Sequence, residues 1–237
     1  MDKIIVISGS GRGLGLELLK RHLESNDIVY AFTQHLNNTL KEMMEKNSSL
    51  RVYQCDVTSE SDVIDASKDV LAERKRIDVL YNVAGIYKFE SGKVDINDTD
   101  IDDCLSMFDV NALGVIRVCK TLWPLFQKGS LVVNISSEAG SIGGMRRKQE
   151  YGYSMSKAAL NMGSKILSNA LWERGGRVFI VHPGWMRTDM GGPASFKSDR
   201  SVSAETSAEN IMNLVSAIDE IPRDQMYMRH TGEILPW

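Results

Sequence analysis

The chain predicts an α/β protein: a single doubly wound parallel sheet with helices on both faces. Three observations carry that prediction. Short apolar runs alternate with longer segments of helical spacing from end to end. A glycine-rich turn joins the first apolar run directly to the first helical segment, and no linker, repeat or low-complexity stretch interrupts the 237 residues.

Lys3-Ile4-Ile5-Val6-Ile7 lacks polar alternation, the mark of a strand buried on both faces, and sets a strand at 3–8. Leu16-Glu17-Leu18-Leu19-Lys20 has helical spacing and sets a helix at 14–24. A strand at 28–33, a helix at 38–46, a strand at 51–55 and a helix at 61–74 come next, with Thr58 and Ser59 in the capping region of the last. After a strand at 77–82, the acidic run Asp95 to Asp103 reads as a loop and the negatively charged first turn of a helix at 101–126, where carboxylates favour the helix dipole. A calcium loop would need a central glycine and a terminal glutamate that this run lacks. Leu131-Val132-Val133 with Ile135 sets a strand at 130–136, and Ala158, Leu160, Met162, Ile166 and Leu167 set a helix at 152–174. A strand at 177–182, a helix at 205–218 and a short strand near 226–229 complete the order.

Two segments carry chemistry. Ser8-Gly9-Ser10-Gly11-Arg12-Gly13-Leu14-Gly15 lies between strand and helix, an arrangement in which backbone N–H groups and the positive end of a helix dipole face a phosphate. Its glycines do not match GxGxxG, because leucine stands at positions 14 and 16, and no Gly-Lys-Ser/Thr marks a nucleoside-triphosphate loop. The span from Ser136 to Lys157 sets a serine pair at a strand's end ahead of Tyr153 and Lys157, which share one helix face. An ammonium one turn from a phenol favours the phenolate, so the phenol is expected to titrate below its usual value near 10. Tyr151, two residues earlier, lacks the four-residue spacing. Asn111 and Gly114 interrupt an otherwise helical stretch, where a glycine costs about 1 kcal/mol relative to alanine, which suggests a reason beyond folding.

Ser8-Gly9-x-x-x-Gly13-x-Gly15 fits the pattern TGxxxGxG with serine for threonine, and here the chain resembles the short-chain dehydrogenase/reductase family, whose fold is Rossmann-type. The resemblance covers the whole chain, read as one NAD(P)-binding domain over 1–237. Asn82-Val83-Ala84-Gly85 resembles the family's NNAG motif, which implies support of the adenosine side by Asn82, Ala84 and Gly85. Cys55-Asp56-Val57 implies a hydrogen bond from Asp56 to adenine with Val57 beside it; a helix-cap role for the same residues stands as the alternative. The resemblance makes Asn111, Ser137, Tyr153 and Lys157 the catalytic set, with Ser137 preferred over Ser136 as the second of the pair. Pro183-Gly184 matches the turn beneath the nicotinamide, and Thr188 is placed for the cofactor amide or phosphates. The strings from His182 to Gly192 and from Gly232 to Trp237 look most like the C-factor or sniffer-like carbonyl reductases. The resemblance thus implies an NADP-dependent hydride transfer between nicotinamide and a carbonyl or secondary alcohol, with Gly9, Ser10, Arg12, Gly13, Leu14, Gly15, Tyr153 and Lys157 among the cofactor contacts. The alternatives are a catalytically idle dinucleotide-binding signalling protein of C-factor type, which an intact tetrad argues against, and a sugar-nucleotide epimerase, which the glycine spacing and short C-terminal region argue against.

Tyr30-Ala31-Phe32-Thr33-Gln34-His35 offers no acidic residue for ribose hydroxyls, whereas Arg12 suits a 2′-phosphate, so NADPH is expected over NAD. A net charge of −3 gives no reason to invoke nucleic acid, and Arg146-Arg147-Lys148 reads as a solvated loop in preference to a substrate-anion site. Cys55, Cys104 and Cys119 form no CxxC pair, four scattered histidines make no metal cluster, and no apolar run reaches membrane length. The expected setting is therefore cytoplasmic, with a small-molecule substrate. The helices at 101–126 and 152–174 carry apolar residues on more than one face, as in the family's two-fold interface, and a homodimer is expected. The Gly- and Ser-rich stretch 189–204 reads as a mobile flap with Met190 and Phe196 as its apolar roof.

Overall fold

A computed structural model describes residues 2–88 and 94–237. Seven strands, β1 (Ile4–Ser8), β2 (Ile28–Thr33), β3 (Leu50–Gln54), β4 (Val79–Asn82), β5 (Leu131–Ile135), β6 (Arg177–His182) and β7 (Tyr227–Arg229), form one sheet in the order β3-β2-β1-β4-β5-β6-β7. Every pairing is parallel. Such a sheet is covered on both sides, which is why its strands read as continuous apolar runs. The helices are α1 (Gly13–Glu24), α2 (Asn38–Lys46), α3 (Glu60–Glu73), α4 (Ile101–Phe108), α5 (Gly114–Leu122), α6 (Tyr151–Glu173) and α7 (Ala204–Ser216).

Strand alternation deals the core into two layers. Val6, Leu80, Val132 and Ile180 pack with Val63 of α3, Val118 of α5 and Leu160 of α6. Ile5, Ile7, Val133 and Phe179 pack on the other face with Leu18 of α1, Leu40 of α2 and Ile211 of α7. Four helices start on a side-chain cap: Asn37, Ser59, Asp100 and Ser203 each accept a backbone N–H from the first turn. No helix among the described residues is long and apolar enough to cross a membrane.

The helix expected over 101–126 is not continuous. A π turn at Asp109–Leu113 separates α4 from α5, and a 3₁₀ turn at Trp123–Leu125, containing Pro124, ends the segment. The break follows from Asn111, whose side chain leaves the helix to bind the backbone of Ile86, accepting its N–H at 2.8 Å and donating to its carbonyl at 3.0 Å. Gly114 has a packing reason instead: a Cβ there would lie 2.7 Å from Val57 Cγ2. The order reversal at β1/β4 opens a crevice at the carboxyl ends of the strands, the place where ligands of such sheets bind.

Candidate active site

At the end of β1 the chain turns so tightly that only glycine fits. Gly9 has φ +77°, and a Cβ on it would stand 2.5 Å from the Ala84 nitrogen; Gly13 has φ +53°. The turn is anchored from β2, since the Gly9 and Ser10 N–H groups donate to the Phe32 carbonyl at 2.9 and 3.1 Å and Ser10 Oγ donates to it at 3.0 Å. Asn37 Nδ2 holds the Gly11 carbonyl at 2.8 Å. Gly15 lies so close to Gly9 that a Cβ would overlap the Gly9 carbonyl oxygen. Unlike the four capped helices, α1 has no side-chain cap and no acidic residue in its first turn. The donors of Gly13, Leu14 and Gly15 thus keep their positive end for an anion. Arg12, exposed, pairs with Asp189 at 2.8 Å across the crevice mouth.

The reactive side gathers at the ends of β4 and β5. Ser136 Oγ donates to Asn161 Oδ1 at 2.6 Å and is used inside the protein. Ser137 Oγ accepts from the Ala139 N–H at 3.1 Å and neighbours the Tyr153 phenol. Lys157, buried, donates from Nζ to the Ile135 carbonyl at 2.9 Å and lies 5.8 Å from the Tyr153 ring centroid. Burial lowers its pKa from 10.5 to about 8. The Tyr153 phenol, expected below its usual value, lies above it. Burial, which opposes the phenolate, outweighs the nearby Ser137 hydroxyl and the Arg147 charge that favour it. Asn111 joins this group through Nδ2, which donates to Ser156 Oγ at 3.0 Å. A Cβ on Gly85 would stand 3.2 Å from Asn111 Oδ1 and 3.7 Å from Lys157 Nζ. Tyr151, at the start of α6, is exposed.

The remaining expected positions frame the crevice. Asn82 is buried and donates to Asn134 Oδ1 at 2.8 Å, tying β4 to β5. Ser59 caps α3, while Asp56 accepts from Thr58 N at 2.9 Å, from Thr58 Oγ1 at 2.7 Å and from Gln34 Nε2 at 2.9 Å. These hydrogen bonds overcome the cost of partial burial and hold its carboxyl below the ordinary value. Val57 packs against Gly114. Gly184 has φ +86°, and the preceding Pro183 carbonyl accepts from Ser207 Oγ at 2.7 Å. Thr188 Oγ1 accepts from Gly191 N at 3.3 Å. The stretch after it forms 3₁₀ turns at Asp189–Gly191 and Pro193–Lys197 and leaves Met190 and Phe196 exposed.

Two supports had no sequence signal strong enough to find. Tyr227 Oη donates to the Ser137 carbonyl at 2.5 Å, a contact across 90 residues that no local pattern encodes. Glu138 accepts from Arg147 at 3.3 Å and from Arg229 at 3.2 Å, so part of the basic loop is neutralised in ion pairs.

Comparison with known proteins gives this geometry a family. Residues 3–198 match the model of the short chain dehydrogenase family. The chain belongs to that family of oxidoreductases. Among curated relatives, the C-signal of Myxococcus xanthus is 32% identical over 163 residues, 68% of this chain and 93% of that protein. Carbonyl reductase Sniffer of D. melanogaster is 26% identical with a TM-score of 0.83, each chain covered over 100%. An NADPH-bound carbonyl reductase from chicken fatty liver shares the fold at a TM-score of 0.88 and 23% identity, covering 100% of this chain and 99% of that one.

Proposed function

We propose that this chain is an NADPH-dependent carbonyl reductase acting on a small aldehyde, ketone or quinone, with residues 1–237 forming one cofactor-binding unit. The observation that carries the reading is the convergence of Ser137, Tyr153, Lys157 and Asn111 beside an uncapped helix N-terminus. The positive-φ glycine turn and the free first-turn donors of α1 fit a pyrophosphate, and Arg12 would leave Asp189 for a 2′-phosphate. Gly9, Ser10, Gly13, Leu14 and Gly15 would line the phosphates; Asp56, Val57, Asn82, Ala84 and Gly85 the adenosine side; Pro183, Gly184 and Thr188 the nicotinamide. Bound there, the nicotinamide supplies the hydride.

Tyr153 gives its proton to the developing alkoxide oxygen, and Ser137 donates a hydrogen bond to that oxygen. A phenol held above its ordinary pKa by burial stays protonated at neutral pH, which suits it as the donor in the reductive direction. Lys157 lies close enough to stabilise the phenolate left behind, and Asn111 holds the π turn that frames the proton's return route.

The test is a panel of aldehydes, ketones and quinones with cofactor oxidation followed by absorbance. Tyr153→Phe is expected to lower kcat by at least about 100-fold with NADPH affinity retained, while Tyr151→Phe stays near wild type. Arg12→Ala is expected to weaken NADPH far more than NADH; equal loss for both would remove the 2′-phosphate assignment. The likeness to C-signal supports one second reading, a catalytically idle nucleotide-binding signal protein. Nucleotide binding without turnover of any panel member would favour it.

A further inference from the structure

Tyr87 stands just beyond Gly85-Ile86, where Asn111 fixes the main chain through both backbone groups of Ile86. Its ring meets that of Tyr153 edge to face, with centroids 5.1 Å apart and planes at 83°. Its hydroxyl donates to Glu150 Oε1 at 3.0 Å. Glu150 is itself unusual. It precedes α6 with φ 70° and ψ 40°, a left-handed conformation unfavourable to a non-glycine residue, yet its side chain does not cap the helix. The carboxylate is turned instead to the Tyr87 hydroxyl and to an ion pair with Arg147. A residue kept in a strained backbone state is held there by its surroundings.

We propose that Tyr87 is a positioning residue for Tyr153: Glu150 fixes the Tyr87 hydroxyl, and the ring so fixed stands against the Tyr153 ring and keeps its phenol directed at Ser137. The proposal rests on the reading of Tyr153 as proton donor. Aromatic pairs are stabilised in this geometry beyond the area they bury, and a ring packed against Tyr153 restrains the χ1 rotation that would swing its phenol oxygen away from Ser137. Small misplacements of a reacting group cost rate steeply.

The experiment uses the whole chain with a carbonyl substrate found in the panel, and compares Tyr87→Phe, Glu150→Gly, Glu150→Gln and the double variant Tyr87→Phe/Glu150→Gly. Tyr87→Phe and Glu150→Gly each release the same tether. Each is expected to lower kcat by roughly threefold to tenfold with the NADPH Kd within about twofold, and the double variant to fall no further than the weaker single. Glu150→Gln, which keeps an acceptor oxygen, should restore most of the rate. Glycine relieves the left-handed strain, so Glu150→Gly should melt at or above the wild-type Tm while kcat falls, a divergence that a purely structural role would not give. Wild-type kcat in both single variants, multiplying losses in the double variant, or a fall in Tm that tracks the fall in kcat would each overturn the proposal. If the wild type reduces no panel member, the proton-donor reading fails first and takes this inference with it.

Discussion

Lys157 carries an ammonium into a place that disfavours charge, and its stability effect has a definite sign. Its folded pKa, about 8, is below the ordinary 10.5, so between those values the unfolded chain binds more protons and stability rises with pH. At pH 7 the cost is of order 3 kcal/mol, partly offset by the hydrogen bond to the Ile135 carbonyl. Lys157→Met is accordingly expected to be more stable than wild type at pH 7 in urea titrations, with the advantage shrinking toward pH 10. An advantage constant across that range would show that charge burial is not its source. The same residue shows how far the sequence was legible at this scale. Four-residue spacing on a helix was enough to place Lys157 beside Tyr153. The direction of the phenol's pKa was not legible, because burial depends on elements that close over the site from distant parts of the chain, among them Tyr87 and the loop bearing Arg147. Ser136 and Ser137 were separable only in part: strand alternation sends adjacent side chains to opposite faces, but only Asn161, 25 residues on, shows which face is which.

Local signals placed nearly every strand and helix, because a covered parallel sheet writes itself as apolar runs separated by amphipathic helices. The element that misled was the helix over 101–126. Its apolar spacing is intact, and the π turn arises from the bond between Asn111 and Ile86, which no period in the sequence reports. The glycine turn yields the prediction at this scale. Because a Cβ at position 15 would overlap the Gly9 carbonyl, Gly15→Ala must push α1 away from the turn. A loss of about 1–3 kcal/mol in chemical denaturation is expected, together with weaker NADPH binding. Alanine in place of Gly143, which lies in a loop, should change stability much less; equal effects would show that the closeness of Gly9 and Gly15 is not the constraint.

Across the molecule, several exposed apolar residues fall on the neighbouring helices α4, α5 and α6. Ile101, Leu105 and Phe108 of α4, Ile116 of α5, and Met155, Met162 and Ile166 of α6 are all exposed, Met162 and Ile166 at 63% each. Gly163 lets α5 approach α6, since a Cβ there would meet Ile116 Cδ1 at 3.3 Å. Contiguous apolar patches of this kind mark interaction sites, and we propose that this one joins two copies of the chain through their paired helices. Light scattering at micromolar concentration should report a dimer, and Met162→Glu should yield a monomer that keeps its far-ultraviolet circular dichroism. A wild-type monomer would leave the face for another partner. The β7 margin of the sheet is handled differently. Beyond β7 the chain reverses at Gly232 and lies back along it, with Arg229 N–H donating to the Glu233 carbonyl at 2.8 Å and Leu235 N–H to the Tyr227 carbonyl at 2.9 Å. The β7 edge thus offers few unspent backbone groups to a stranger, so on that side the molecule presents no open template for strand-by-strand growth.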